Sequence, residues 1–433
     1  MGCSGSSCRI YFVFALPPLM SYRSRVIEAT LEAQLRRNGA VLVTGPKAVG
    51  KTTTARLLCA SEVRLDRDRA ARTAAEVDPA LILEGERPRL IDEYQLVEGV
   101  YEAVRGRIDD EGGKGMYILT GSASPADHIR LHSGARRIAQ TSMGTMSLFE
   151  LGHANGAVSV GALLEGTEPP NAAERATVTE VADWICQGGW PDNIGLSVED
   201  AIEANRDYID VLVNVDVERV EGVRRDPDAL RRLLRSYGRN VASDASLRTI
   251  ARLSDDPIPE SSLKNYLGAL RRLFLIADQE PWSVRLRSRS RLVGTPKRHL
   301  ADPSLAVAAL GATPDRLLSD EIEWMGFLFE SLVVRDLRVY ATPSRAQVWY
   351  YRDNTGLEAD AIIERDNGRW IAVEVKLGAR WVDSAAQALL ALRDRVSVEA
   401  AERCMALLVV IPDSPTYTRE DGVVVTSPAV LGP

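Results

Sequence analysis

Gly45-Pro46-Lys47-Ala48-Val49-Gly50-Lys51-Thr52 follows directly on the apolar run Ala40-Val41-Leu42-Val43 and leads into Thr53-Thr54-Ala55-Arg56-Leu57-Leu58. An apolar strand, a glycine-bounded loop and a helix start, in that order, spell a phosphate cradle. Gly45 and Gly50 let backbone N–H groups curl around phosphate oxygens. Lys51 brings a charge to the β and γ phosphates, and Thr52 offers a hydroxyl to Mg2+. Gly45, Pro46, Lys47, Ala48, Val49, Gly50, Lys51, Thr52 and Thr53 are therefore expected to bind a nucleoside triphosphate, with ATP and Mg2+ as cofactors.

Further along, Pro88-Arg89-Leu90-Ile91-Asp92-Glu93-Tyr94-Gln95 carries two carboxylates at the end of an apolar run. At that distance after a phosphate loop, Asp92 is expected in the Mg2+ shell and Glu93 beside the attacking water. A solvated turn is the bland reading of the same pair. A third strand, Met116-Tyr117-Ile118-Leu119-Thr120, ends at Gly121-Ser122, which makes Ser122 the candidate sensor of the γ-phosphate. Ser133-Gly134-Ala135-Arg136-Arg137-Ile138 then offers two arginines, either of which can neutralise charge in phosphoryl transfer as a finger. Strands alternating with helices to about residue 165 predict a parallel sheet covered on both faces.

The chain has 433 residues, enough for about three domains, and 26% of them are charged, an ordinary globular share. A net charge of −7 excludes a protein coated in basic residues and shifts attention to local basic clusters. Five scattered cysteines, without Cys-x-x-Cys or a neighbouring histidine set, point to a reducing cytoplasm rather than to zinc or a disulfide framework. Ile10 to Met20 is about eleven residues long and contains Pro17-Pro18, too short for a membrane span. Residues 1–19 read as an extension upstream of the functional chain. His128, His132, His153 and His299 form no ligand set.

Gly166 to Ala173, with Pro169-Pro170, looks like a boundary. Beyond it come amphipathic runs and the sharp turn Gly188-Gly189-Trp190-Pro191. Within this helical stretch, Ser246 to Leu253, a turn through Pro257-Ile258-Pro259, and Ser261 to Leu267 read as a helix-turn-helix whose Lys264, Asn265 and Tyr266 face a DNA groove. A helical pair used only for packing is the alternative, because Leu267, Leu270, Leu273 and Phe274 dominate the second helix. Arg285, Arg287, Arg289, Arg291, Lys297 and Arg298 form a basic run with no acidic residue among them, and the alternation of the first four puts a basic face on an extended segment suited to a phosphate backbone, with a solvated hairpin as the alternative.

Near the C-terminus, Glu358-Ala359-Asp360-Ala361-Ile362-Ile363, a turn at Asp366-Asn367-Gly368, and Trp370 to Lys376 predict a hairpin. Glu374 and Lys376 share one strand face, and Asp360 on the partner strand joins them. Carboxylates and a lysine gathered at strand ends suit metal-assisted phosphodiester cleavage. The spacing Asp-x(13)-Glu-x-Lys matches the PD-(D/E)xK nucleases. Glu330 in Gly326 to Leu332 completes a metal shell with Asp360 and Glu374, and Gln387 is placed to position water or phosphate. An exposed Glu-x-Lys pair on a two-sided hairpin is the alternative.

Taken together, Gly45 to Thr52, Leu90 to Gln95, Leu119 to Ser122, Gly188 to Pro191, Lys297 to Asp302 and Gly356 to Lys376 resemble a prokaryotic family of AAA-type ATPases with a C-terminal domain of unknown function. The resemblance runs from about Met20 onward. It implies an α/β protein: a three-layer P-loop ATPase domain over 20–165, a helical, winged-helix-like region over 166–300, and a restriction-nuclease-like α/β domain over 301–433. It assigns the ATPase roles to Lys51, Thr52, Asp92 and Glu93, prefers Arg137 as the finger, and gives Glu330, Asp360, Glu374 and Lys376 to the C-terminal site. The expected function is an ATPase coupled to a nucleic-acid-engaging, nuclease-like module, with DNA or RNA, a partner protein and further subunits as partners and no membrane. The alternatives are a non-cleaving ATP-dependent regulator of DNA or protein binding and a toxin–antitoxin component.

Overall fold

Ala40–Thr44 (β1) buries all five of its residues, which requires cover on both faces of its sheet. Alternation divides them. Val41 and Val43 join one apolar cluster with Leu31 and Leu35 of the helix Glu28–Arg37. Ala40 and Leu42 join another with Val100, Val104 and Ile108 of the helix Val100–Glu111. Ser61–Arg64 (β2), Arg89–Asp92 (β3), Tyr117–Gly121 (β4) and Ile138–Ser142 (β5) complete a five-stranded sheet of order β2-β3-β4-β1-β5. Every pairing is parallel. β4 therefore stands between the strand that feeds the phosphate loop and the strand that ends in Asp92, and all five carboxyl ends share one edge. The computed structural model describes residues 22–123, 136–217, 226–252, 258–282 and 294–433. The upstream extension, His128, His132 and the arginine row from Arg285 to Arg291 lie outside the described residues.

The middle of the chain is helical, with Val178–Gln187, Val198–Val211, Pro227–Arg239, Leu247–Arg252, Glu260–Arg272 and Pro303–Leu310 as its main elements. Local chemistry sets their starts. Thr177 and Glu180 form a reciprocal cap, and Asp302 caps a helix that has Pro303 in its first turn. The two expected helices around residues 246–267 are present, with Leu263, Leu267 and Leu270 buried while Lys264 and Asn265 face outward. After Glu260–Arg272 the chain turns back on itself, pairing Ile276 with Leu300 and Gln279 with Lys297 in antiparallel bridges.

The long helix Ile322–Ala341 leads into the third part. Val158–Ser159 is β6, and the later strands are Gln347–Arg352 (β7), Glu358–Glu364 (β8), Trp370–Val375 (β9), Cys404–Val410 (β10), Tyr417–Thr418 (β11), Val424–Thr426 (β12) and Leu431–Gly432 (β13). Six of these form a mixed sheet of order β11-β12-β10-β9-β8-β7. Ile363, Ile371, Val373 and Val375 pack toward the long helix, whereas Ile362, Trp370 and Ala372 pack with the helix Val382–Arg395. The hairpin read from sequence is β8–β9, antiparallel, with Gly368 at φ 79° in its turn. β13 returns to pair in parallel with β6. The Pro169-Pro170 stretch, expected to separate two parts, leads into a segment pinned to the last one. Thr416 N–H donates to Ala172 O at 2.7 Å, and Ala176 N–H to Pro412 O at 3.1 Å.

A buried polar hub holds the three parts. Asp302 is fully buried, and its Oδ2 accepts from Thr145 Oγ1 (2.8 Å), Gly189 N–H (3.0 Å) and Arg335 Nη1 (2.9 Å), while Oδ1 accepts from Ser304 N–H (3.0 Å). Arg335 also donates from Nε and Nη2 to Asp336 Oδ1 at 2.9 and 2.7 Å, and Asp336 Oδ2 accepts from Leu148 N–H at 3.0 Å. Gly189 has no room for a side chain, since a Cβ there would lie 2.1 Å from Met146 O. Asp302→Ala should destabilise the fold by roughly 3–5 kcal/mol, because it removes one of the two carboxylates that face the buried Arg335 guanidinium and leaves two backbone donors unpaired. Urea unfolding followed by circular dichroism measures this, and a loss below about 1 kcal/mol would refute the central role of the hub.

Candidate functional site

At the carboxyl edge of the first sheet, the chain leaves β1 through Gly45 at φ 149°, where a Cβ would sit 2.0 Å from Met143 O. Gly50, at φ 92°, opens the helix Lys51–Arg56 without a side-chain cap. Its first N–H groups thus point at the space inside the loop. Lys51 Nζ folds across that space, donating to Gly45 O at 3.0 Å and Pro46 O at 2.7 Å. Burial pulls its ammonium down to about 8, against the opposing pull of the Glu93 and Asp92 charges.

Thr52 Oγ1 donates to Asp92 Oδ1 at 2.7 Å, which brings the expected hydroxyl and carboxylate for Mg2+ side by side. These two groups fit the ion. Asp92 is buried and is also met by Thr120 Oγ1 and by Arg64 Nε at 3.4 Å. Glu93 sits at φ 54°, its N–H donating to Thr120 Oγ1 at 3.2 Å. Its Oε2 accepts from Ser122 Oγ at 2.7 Å and from Gln95 Nε2. Lys51, Thr52, Asp92, Glu93 and Ser122 therefore meet as read from sequence. Thr120, Arg64 and Gln95 join them without having been singled out.

Arg137 does not belong to this group. It immediately precedes β5, its carbonyl accepts from Ala40 N–H at 3.0 Å, and its guanidinium pairs with Asp109. From Ala40 to Thr44 the strand spans roughly 13 Å, so Arg137 lies at the far edge from the phosphate loop of its own chain. Arg136 adjoins it there at φ 69°. The arginine pair opens a strand, whereas the loop follows a strand's end, so neither arginine is brought to the phosphate loop of its own chain.

A different arginine reaches the loop. Arg25, buried, donates from Nη1 to Val49 O (2.7 Å), from Nη2 to Gly144 O (2.9 Å) and from Nε to Glu150 Oε1 (3.0 Å). Nothing in the local sequence marks it, because its partners lie up to 125 residues away. The turn Gly188 to Pro191 comes close from the other side. A Cβ on Gly50 would lie 3.7 Å from the Pro191 ring. Tyr208, whose ring centroid is 4.6 Å from that of Trp190, donates its hydroxyl to Lys47 O at 3.2 Å.

The second constellation lies between the hairpin and the long helix. Lys376 Nζ pairs with Glu374 and, at 3.2 Å, with Asp360 Oδ2, which also accepts from Val375 N–H at 2.8 Å. Glu330 joins through Lys297, which the sequence reading counts in the basic run ending at Arg298 and which is instead buried among carboxylates. Lys297 Nζ lies 2.7 Å from Glu330 Oε1, 2.7 Å from Glu358 Oε1 and 3.3 Å from Asp360 Oδ1. Four carboxyls thus face two ammonium groups. Burial and then the neighbouring Asp360 charge push Glu330 and Glu374 up to about 8. Burial also raises Asp360, but Lys297 and Lys376 outweigh it and hold this carboxyl at about 2. As arranged, the set does not fit Mg2+: Lys297 bridges the carboxylates expected to hold the ion, and among the described residues no group of three or more His, Cys, Asp or Glu is disposed to bind a metal. Gln387 is exposed on its helix and touches none of this. His299 instead backs the cluster, buried between Ser331 Oγ at 3.0 Å and Gln279 Oε1 at 3.3 Å, with burial holding it neutral.

Comparison with known proteins agrees with the first of these sites. Residues 37–152 match the family described as AAA domain, so this part of the chain is an AAA-type P-loop domain. Residues 178–316 and 325–430 match two families described as domains of unknown function, DUF8612 and DUF4143. An uncharacterized protein of Mycobacterium tuberculosis and one of Mycobacterium bovis are each 28% identical over 363 residues, covering 82% of this chain and 74% of theirs. Among solved structures, a Walker-type ATPase of Pyrococcus abyssi is 14% identical, with 65% of this chain and 94% of that chain covered and a TM-score of 0.38. The ORC2 protein of Aeropyrum pernix, solved in ADPNP–ADP complexes, is 14% identical, with 68% and 93% covered and a TM-score of 0.29. No helix among the described residues is long and apolar enough to cross a membrane.

Two outcomes follow from this geometry. Arg25→Ala leaves Glu150 and two loop carbonyls without their donor, and should cost roughly 2–4 kcal/mol in thermal or urea unfolding while weakening nucleotide binding. Stability should also fall as pH rises from about 5 to about 8, because carboxyls with a raised folded pKa hold protons that the unfolded chain releases. That contribution is present below the unfolded value and lost through the folded one. The Glu330→Gln/Glu374→Gln double variant should flatten the profile, and an unchanged slope would refute the assignment.

Proposed function

We propose that this protein binds and hydrolyses ATP at the carboxyl edge of its first sheet and uses the nucleotide state to control a nucleic-acid-engaging, nuclease-like C-terminal part. The observation that carries the reading is the convergence of Lys51, Thr52, Asp92, Glu93 and Ser122 at that edge, from the start of one helix and the ends of two strands. Mg2+, held by Thr52 and Asp92, would supply charge neutralisation at the β and γ phosphates.

The protein's own groups account for the rest. On nucleotide entry, Lys51 exchanges the Gly45 and Pro46 carbonyls for phosphate oxygens. The loop N–H groups, freed of side-chain caps, bind the same anion. Glu93 accepts a proton from the attacking water, and its hydrogen bonds to Ser122 and Gln95 hold the carboxylate in place. Ser122, at the tip of β4, reports occupancy of the γ position. The change passes to the rest of the chain through contacts already formed, with Val49 tied by Arg25 to Gly144, and Thr145 tied to Asp302. In the middle region, which we read as winged-helix-like, Lys264 and Asn265 are the exposed groups that would face nucleic acid. For Arg137 the only role compatible with its place is in trans, at a neighbouring subunit's nucleotide.

Glu93→Gln should retain ATP binding and lose roughly 10²- to 10⁴-fold in hydrolysis, while Lys51→Ala should lose binding itself. Fluorescent-nucleotide titration and phosphate release measure the two separately. Wild-type protein that neither binds nor hydrolyses ATP in the presence of Mg2+ would end this reading.

A further inference from the structure

We infer that Lys297 is the resident cation of the C-terminal cluster, taking the place a divalent metal would otherwise hold, so that this part of the protein engages its partner without metal-dependent phosphodiester cleavage. The inference rests on the nuclease-like reading of the hairpin given above and decides what that scaffold does.

Glu330, Asp360 and Glu374 are the oxygen donors that metal-assisted cleavage would need, and all three are buried. A hard cation binds such a set by replacing its lost hydration with direct carboxylate contacts. Lys297 Nζ already makes those contacts, reaching Glu330, Glu358 and Asp360 within 3.3 Å from a side chain 3% exposed. Lys376 takes the other oxygen of Asp360 and pairs with Glu374. In a metal-dependent site the second lysine would assist the attacking water, but here it is spent on the same carboxylates.

The backbone also fixes Lys297 in place. Its N–H and C=O both pair with Gln279, at 2.9 Å each. Gln279 Nε2 in turn donates to Asp360 O at 3.1 Å and Trp349 O at 2.8 Å. The Tyr350 ring, 5.7 Å from Nζ, closes one side. Displacing this ammonium would strand several buried carboxylates at once, a cost that a weakly held Mg2+ with its own tightly bound water shell does not readily offset.

The test is a Mn2+ titration of nucleotide-free full-length protein in a Lys51→Ala background, read by calorimetry and by thermal unfolding. With Lys297 present, no Mn2+ site dependent on Asp360 should appear, and neither Mn2+ nor Mg2+ should move the midpoint through this cluster. Lys297→Ala should unfold at lower temperature in chelator and recover on addition of Mn2+, gaining one site that a further Asp360→Asn change removes. If Lys297→Ala does not accumulate as folded protein, Lys297→Met, which keeps the side-chain volume and all three oxygen donors, takes its place in the same titration. A Mn2+ site in the Lys297-containing protein that Asp360→Asn abolishes overturns the inference. Divalent-dependent cleavage of DNA or RNA by the wild type, lost in Asp360→Asn, does the same, as does a folded Lys297 variant indifferent to Mn2+. Failure of the wild type to bind any nucleic acid would instead count against the proposed function and leave the cation titration standing.

Discussion

The contact on which the architecture depends is the fully buried carboxylate–guanidinium–carboxylate row of Asp302, Arg335 and Asp336. A row like this does not earn its place by net stability, since desolvating three charges costs about as much as their attraction returns. Its value lies in direction. Its other hydrogen bonds reach Thr145 and Leu148 beyond the first sheet, Gly189 in the helical middle and Ser304 at a helix start. An apolar replacement would fill the same space and leave those four elements free to slide.

Two short stretches of chain carry this hub to the C-terminal cluster. Asp302 lies five residues after Lys297, and Arg335 lies five residues after Glu330 on the same helix, about 7.5 Å along its axis. Thr145, in turn, follows Met143 and Gly144, the residues against which Gly45 and Arg25 set the phosphate loop. A displacement at the loop therefore has a route to Lys297 made of hydrogen bonds joined by short stretches of chain and helix. The chain of contacts is structural; its energetic coupling is a separate quantity that mutation cycles define.

What could be read from sequence alone follows the distance between interacting residues. The phosphate loop is one contiguous run whose letters require each other, and Asp92, Glu93 and Ser122 follow from strand ends that alternate with helices. The hairpin is equally local, so Asp360, Glu374 and Lys376 could be grouped by their period of two. The places of Lys297 and Arg25 could not be found in this way, because a basic residue acquires such partners only when positions 24 to 125 residues away are folded against it. The distance of Arg137 from the loop of its own chain was hidden for another reason. Spacing after a strand does not say whether an arginine closes one strand or opens the next, and in a parallel sheet those two places lie on opposite edges. The Pro169-Pro170 stretch looked like a linker by composition, yet its neighbours Ala172 and Ala176 are backbone partners of Thr416 and Pro412, which composition cannot show.

The pairing of Leu431–Gly432 with Val158–Ser159 carries a consequence for biosynthesis. Residues that leave the ribosome early acquire their last backbone partners only after more than two hundred and seventy further residues have been made, a separation that Ser159 and the Pro433 carbonyl show directly. Asn155 N–H likewise waits for Ala429 O. The first sheet can assemble during translation, since its strands are consecutive in sequence, but its exit is fastened only at the end. Until then, the apolar faces of Val158, Val160 and Leu164 stand without cover from Val430 and Leu431. Nascent chains halted upstream of residue 430 are the species on which chaperones or proteases would act.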